Sequence, residues 1–172
     1  EKAIEFGMPA VAFSDSGNMM GAFQFVEAGF KHNQSIDKKI EEANENVNVS
    51  EIEIQDLERK KIVPIVGCEF QVCLDRNDKT YKNNGYQVPF LAKNKKGYQN
   101  LINLSSIGFI EGFYYVPRID KNIILEYSND LIVTTGGLTA EIPDLILNVG
   151  ESQAEEAFKW WYQTFGDDFY VE

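Results

Sequence analysis

The sequence predicts an α/β fold, because segments typical of strands alternate with segments typical of helices along the whole chain. Short apolar runs bounded by turn residues indicate the strands, as at residues 88–91 before Asn94. Apolar residues at helical spacing follow them, as between Tyr98 and Phe109. With 172 residues, 44% of them hydrophobic, the chain suffices for one domain with a core and is too short for two.

The first predicted elements are a helix end, a strand and a second helix. Gly7 and Pro9 end a helix over residues 1–7, and "AVAF" after them is typical of a strand. Because the chain begins inside this helix, we expect it to be a piece of a longer protein. The polar loop "SDSGN" follows, and its Asn18 is suited to cap the next helix. Four residues at helical spacing predict the buried face of that helix: Met19, Phe23, Val26 and Phe30.

Residues 33–61 form a predicted charged helical insertion, rich in Glu, Asn and Lys. Ile36 and Ile40 share a helical face, and Ser50 with Glu53 matches the capping box of a further short helix. Two interpretations are open, a contact surface for a partner protein or a solvated insertion.

The strand predicted at residues 62–73 carries a carboxylate, Glu69, among apolar residues. A carboxylate in such a strand needs a metal ion, a cation or hydrogen bonds to offset its lost hydration. A polar loop over residues 74–85 leads to "QVPFLAK", where Pro89 predicts an edge or irregular strand. This strand leads directly into the helix that Gly112 ends, and that order is half of a βαβ unit.

The remaining third of the chain continues the alternation. A short helix "KNIILEYS" and a strand "DLIVTT" precede Gly136 and Gly137, which lead into a helix at residues 141–149. A glycine loop before a helix can bind an anion through backbone amides. The final helix presents one apolar face and ends before the strand start "DFYVE"; that face comprises Ala154, Ala157, Phe158, Trp161 and Phe165.

The charge argues against several functional classes. With 27 acidic and 16 basic residues the net charge is −11, so this segment is not expected to grip nucleic acid directly. No apolar run is long enough to span a bilayer.

Cys68 and Cys73 match no zinc or redox spacing and are expected to be buried free thiols in a reducing cytoplasm. His32 is expected on the surface.

Three consecutive segments carry a family resemblance: "FLAKN", "GYQNLINLSS" and "GFYYVPRID". They resemble the PHP (polymerase and histidinol phosphatase) domain of the alpha subunit of bacterial DNA polymerase III, where "LLAKN", "GYxNLxxLSS" and "GFYYxPRID" follow in this order. The resemblance implies a distorted (β/α)7-type barrel of parallel strands ringed by helices. Residues 1–172 would be its middle portion, part of a larger cytoplasmic polymerase chain.

The resemblance also marks five positions of the family's metal cluster. The family's "TDHGN" aligns its Asp with Asp15 and its His with Ser16, and its "GCEF" aligns with Glu69. The His that opens "HLVLLAK" corresponds to Gln87, and the Cys of "SGCLGGEIP" to Gly137. Two carboxylates are therefore retained, and two imidazoles and a thiolate are replaced by weaker ligands or none.

These departures predict no catalytic residue, no bound metal and no cofactor in this segment. The resemblance implies a structural domain that packs against the rest of the alpha subunit and, in some relatives, docks the proofreading exonuclease. DNA-directed DNA polymerase activity, a magnesium-dependent nucleotidyl transfer, would belong to the rest of the parent chain.

An alternative function is a metal-dependent phosphoesterase or 3′–5′ proofreading nuclease with a reduced site. It would use Asp15 and Glu69 to bind zinc or manganese weakly, with Arg118 and the Gly136 loop holding phosphate. A stand-alone amino-acid-pathway phosphatase with the same barrel is disfavoured, because "SSIGFIEGFYY" matches the polymerase branch.

Overall fold

The computed structural model describes residues 2–45, 50–82 and 84–172, and these ranges form a mixed α/β structure. The predicted insertion therefore has residues 46–49 outside the described part. The helices and strands in chain order are α1 (Lys2–Glu5), β1 (Ala10–Ser16), α2 (Ala22–Glu45), α3 (Glu51–Glu58), β2 (Val63–Cys73), β3 (Tyr86–Ala92), α4 (Lys95–Ile110), β4 (Arg118–Asp120), α5 (Lys121–Tyr127), β5 (Leu131–Thr134), α6 (Glu141–Asn148), α7 (Glu151–Phe165) and β6 (Phe169–Tyr170).

The strands of the described residues follow the order β1-β2-β3-β5-β6, and β4 pairs with β2. β2 pairs antiparallel with β3, and β3 pairs antiparallel with β5, whereas the β2–β4 and β5–β6 pairs are parallel. The sheet is thus mixed, and the expectation of parallel strands throughout was wrong. The β3–α4 pair is not half of a parallel βαβ unit, because β3 runs opposite to both β2 and β4.

The chain divides into two compact units, and the first comprises Glu1–Phe13 and Gly21–Ile65. In this unit the ring of Phe13 stacks on Phe25 of α2 at a centroid distance of 5.1 Å. The side chain of Asn33 bonds both backbone groups of Ile62 at 2.9 Å, which ties α2 to the segment before β2.

Two predictions about α2 were wrong. The helix starts at Ala22, because the side chain of Asn18 accepts from the backbone of Met20 in a turn and does not cap the helix. Phe23 and Phe30, expected in the core, are 76% and 60% exposed.

Residues 33–45 of the charged segment continue α2 without a break, since no glycine or proline interrupts residues 30–45. The predicted capping box of Ser50 and Glu53 is confirmed and starts α3. The imidazole of His32 donates to the carbonyl oxygen of Lys60 at 2.8 Å, so this residue has a structural partner.

The second unit comprises Ser14–Met20 and Val66–Glu172 and contains the main buried core. Its centre is Phe90 on β3, whose ring lies edge-on to Phe70, Trp161 and Phe165. The apolar face predicted for α7 is confirmed at Ala154, Ala157, Trp161 and Phe165. On α4 the buried residues are Gly97, Leu101, Leu104 and Gly108, and Phe109 is 45% exposed, so part of the predicted face was wrong.

Pro89 fits into β3 because the strand has one neighbour at this residue and two neighbours further on. Phe90 and Leu91 pair with both β2 and β5, Ala92 pairs with β5, and over Tyr86–Pro89 the register is with β2. An edge strand was therefore the wrong prediction for the second half of β3. Proline, which lacks the N–H group, stands just before the doubly paired part.

Candidate functional site

The five predicted metal-ligand positions lie in the second unit, and two of them, Ser16 and Gln87, lie beside the side chain of Glu69. Ser14 and Ser16 are two residues apart on β1, so their side chains share one face of that strand. On β3, Pro89 pairs with Glu69 of β2, and Gln87 is therefore the diagonal neighbour of Glu69 on the same face. The alternation of three strands brings these four side chains together.

The carboxylate of Glu69 is held by hydrogen bonds from both neighbouring strands. The side-chain amide of Gln87 donates to Oε2 of Glu69 in a short contact, and the hydroxyl of Ser14 donates to Oε1 at 3.4 Å. The same amide nitrogen donates to the hydroxyl oxygen of Ser16 at 3.3 Å. We call Ser14, Ser16, Glu69 and Gln87 the amide–carboxylate network.

The loop after β1 is fixed by its glycine. Gly17 has φ +71°, its N–H donates to the carbonyl oxygen of Glu69 at 2.8 Å, and its carbonyl accepts from Ser105 at 2.9 Å. A Cβ at this position would lie 2.9 Å from the Cγ of Pro117, so the loop and the segment before β4 are in close contact. These contacts position Asp15 and Ser16 beside β2.

The glycine loop at residues 136–137 borders the network. Gly136 has φ +74°, and a Cβ there would lie 2.9 Å from the carbonyl oxygen of Gln87. Gly137 is exposed, and a Cβ there would meet nothing within 4 Å. A larger side chain could therefore be accommodated at residue 137.

The acidic groups of the site affect the nearby thiol of Cys68. Burial raises the pKa of the Cys68 thiol to about 12; the hydrogen bond with the backbone of Gly17 opposes this rise, and the negative charges of Asp15 and Glu69 add to it. Cys68 and Cys73 are both buried free thiols, as predicted. Over the described ranges, no group of three or more His, Cys, Asp or Glu side chains is arranged to hold a metal ion.

Arg118, predicted as a phosphate ligand in the alternative function, is 1% exposed. Its guanidinium donates to the carbonyl oxygens of Gly112 at 3.0 Å, Arg76 at 3.1 Å and Asp78 at 2.9 Å. These bonds tie the loop after β2 to the segment after α4. Phosphate binding by Arg118 stays a prediction, and it would require the phosphate to compete with three carbonyl groups.

Sequence reasoning missed two residues of this region. Ser14, which bonds Glu69, could have been found if β1 had been extended through "SDS", since Ser14 and Ser16 then share a face. Nη1 of Arg76 donates to both carboxylate oxygens of Asp120, at 2.9 and 3.1 Å, and Nε of Arg76 donates to Glu111 at 3.1 Å. No local spacing pattern predicts the ion pairs of Arg76, because its partners are 35 and 44 residues away in the sequence.

Comparison with known proteins gives one consistent result. The model of the family described as PHP domain matches residues 1–172. Among curated proteins, the chain is similar to the DNA polymerase III subunit alpha of Chlamydia pneumoniae, at 32% identity over 99% of this chain, and of Borreliella burgdorferi, at 33% over 99%. That of Thermus aquaticus is 34% identical over 95%. The chain spans only 12–13% of the length of these relatives.

Proposed function

Because the chain belongs to the PHP domain family, we propose that it is the PHP domain of the alpha subunit of a bacterial replicative DNA polymerase and serves there as a catalytically inactive domain with structural and partner-docking roles. Its partners would be the rest of the alpha subunit and the proofreading exonuclease. The complete domain would close into a distorted (β/α)7-type barrel whose sheet includes the antiparallel pairs of β3, and polymerisation would belong to the rest of the parent chain.

The observation that carries this proposal is the contact between Gln87 and Glu69. An amide nitrogen, with its partial positive charge, faces the carboxylate oxygen that a cation would need. A neutral histidine at this position would offer a lone pair to a metal, whereas the amide nitrogen offers only hydrogens. The hydroxyls of Ser14 and Ser16 are poor ligands for transition metals compared with imidazole or thiolate. The network therefore supports a structural role.

The proposal is tested by metal content and phosphoester hydrolysis. We expect the purified chain, incubated with zinc or manganese and then desalted, to retain far less than one ion per molecule. We also expect it to hydrolyse bis(p-nitrophenyl) phosphate and a labelled single-stranded oligonucleotide no faster than its Asp15→Asn variant.

A second candidate, the phosphoesterase or nuclease with a reduced metal site, is favoured by one observation. Asp15 and Glu69 both lie close enough to Cys68 to raise the pKa of its thiol, so two carboxylates share this region. Stoichiometric metal, with turnover lost in Asp15→Asn and kept in the exposed-site control Asp56→Asn, would establish this candidate and refute the structural proposal.

A further inference from the structure

Helices α6 and α7 form a pair with an open groove between them, in the second unit. Two residues link the helices, and so short a connection makes them neighbours. The groove has a volume of about 320 Å³, near the lower limit of roughly 300 to 1,000 Å³ for ligand clefts. It therefore suits a few side chains of a partner better than a large cofactor.

The floor of this groove is apolar. Ile142 and Ile146 lie one turn apart on α6, and Ala154 and Phe158 lie one turn apart on α7. Ile146 is 53% exposed, and the ring of Phe158 stacks on that of Tyr162, which extends the apolar strip along α7. Ile142 and Ala154 are themselves buried, so the apolar surface that the groove offers to a partner is that of Ile146 and Phe158.

The rim of the groove is acidic. Glu151 and Glu155 of α7 are exposed and line the groove beside the apolar residues. Lys159 pairs with Glu155 at 2.6 Å, so the rim carries one basic neighbour against its two carboxylates. The whole chain adds to this field with its net charge of −11.

We propose that this α6/α7 groove binds an amphipathic helical segment of a partner protein, with apolar residues at i, i+3 or i+4, and i+7 and lysine or arginine along its edges. Apolar anchors would fill the floor, as in helix-in-groove recognition. The basic edges would face Glu151 and Glu155, and this complementarity would speed association and fix orientation. This proposal rests on the partner-docking role proposed above and adds that the partner segment is amphipathic, helical and basic at its edges.

Charge decides against the other occupants. A second copy of this chain would bring another net charge of −11 to an acidic rim. A nucleic-acid backbone or an anionic lipid surface would place phosphates beside the same carboxylates. A basic helical segment is attracted by the same negative charges that repel a second copy, a nucleic-acid backbone and an anionic lipid surface.

The test uses two labelled helical peptides of 18 residues, one of leucine and lysine and one of leucine and glutamate, measured by fluorescence anisotropy with the 172-residue chain. We expect the leucine–lysine peptide to bind and the leucine–glutamate peptide not to. The double variant Glu151→Lys/Glu155→Lys should weaken the first by at least about tenfold and confer binding of the second.

Matched apolar variants distinguish binding in the groove from nonspecific hydrophobic binding elsewhere on the surface. Ile146→Ser should weaken binding by about fivefold, whereas Ile110→Ser, at an 80% exposed position on α4, should leave it unchanged. Ile146 is preferred to Phe158 for this test, because the ring of Phe158 also packs against Phe169 at a centroid distance of 5.4 Å. Circular dichroism confirms that each variant is folded.

The proposal is overturned if the leucine–lysine peptide fails to bind at about 1 mM, if both peptides bind equally, or if Ile110→Ser and Ile146→Ser act alike. Retained metal and phosphoester turnover, measured separately, would refute the inactive structural role without affecting peptide binding. The two failures are therefore distinguishable.

Discussion

At the residue scale, the side chain of Glu69 explains how a carboxylate is kept in an apolar strand. Its oxygens accept from Ser14 and Gln87, which lie on the two strands flanking β2. Hydrogen bonds of this kind offset the lost hydration, so no metal ion is needed for the carboxylate to be stable in the fold. Gln87 also reaches Ser16, and a single amide therefore joins three strands.

Replacing Gln87 with alanine should destabilise the domain. The carboxylate of Glu69 would lose its amide donor, and we expect the free energy of unfolding to fall by about 2 kcal/mol. Urea denaturation followed by circular dichroism measures this change. Gln163→Ala, at an exposed position of α7, is the matched control, and an equal loss in both variants would show that the network is unimportant.

Restoring imidazoles should restore metal binding. The amide nitrogen of Gln87 lies 3.3 Å from the hydroxyl of Ser16, so the double variant Ser16→His/Gln87→His would place two imidazoles beside Glu69. We expect this variant to bind zinc in calorimetry at micromolar concentrations, and we expect the unsubstituted 172-residue chain not to bind it. Equal heats for the two proteins would mean that these positions do not converge on a metal.

The two thiols should be unreactive in the folded protein. Burial raises the pKa of both cysteines, that of Cys68 to about 12, so the reactive thiolate is scarce at pH 8. We expect Ellman's reagent to label neither thiol rapidly under native conditions and both after denaturation. A fast native reaction would contradict the burial of Cys68 and Cys73.

At the element scale, the ion pair of Arg76 and Asp120 ties the loop after β2 to the start of α5. Asp120 also caps α5 by accepting from the N–H of Ile123 at 3.0 Å. Burial by itself would raise the pKa of Asp120, but the hydrogen bonds from Ile123 and Arg76 and the guanidinium charge outweigh it and lower the pKa. The ionised carboxylate is therefore the form that stabilises the fold.

This lowered pKa predicts a pH dependence. Because the folded pKa lies below the unfolded value of about 3.9, the stabilisation is fully present above that value and is lost as the pH falls through the folded pKa. We expect Asp120→Asn to lower the unfolding free energy at pH 7 by about 3 kcal/mol and to flatten its decline below about pH 4. Urea denaturation at several pH values measures both effects.

The exposed pair of Arg59 and Asp56 supplies the control for this prediction, since exposed pairs contribute little. Asp56→Asn should leave both the stability at pH 7 and its pH profile unchanged. If Asp120→Asn behaved like Asp56→Asn, the ion pair with Arg76 would not hold the loop.

At the scale of the whole molecule, charge sets which partners can approach. The net charge of −11 opposes a polyphosphate backbone, and none of the helices in the described ranges is long and apolar enough to cross a membrane. The α6/α7 groove shares this acidic character. Protein segments with basic edges are therefore the partners that the proposed docking role would favour.

Single-stranded DNA should bind poorly. In fluorescence anisotropy with a labelled oligonucleotide we expect no saturable binding by the 172-residue chain at about 0.1 M salt, because phosphates and surface carboxylates repel each other. Heparin, an unrelated polyanion, is the control competitor. Micromolar binding that weakens with salt would reveal a basic face that the net charge conceals.

The sequence by itself determined the order of the elements other than β4, the Ser50 capping box, four of the five residues of the α7 face and the family, because these depend on local spacing and short motifs. The tertiary structure alone decided the antiparallel pairing of β3, the exposure of Phe23 and Phe30, and the contact of Gln87 with Glu69. Strand direction and side-chain contacts join residues far apart in the chain, and local patterns do not record which distant segments meet.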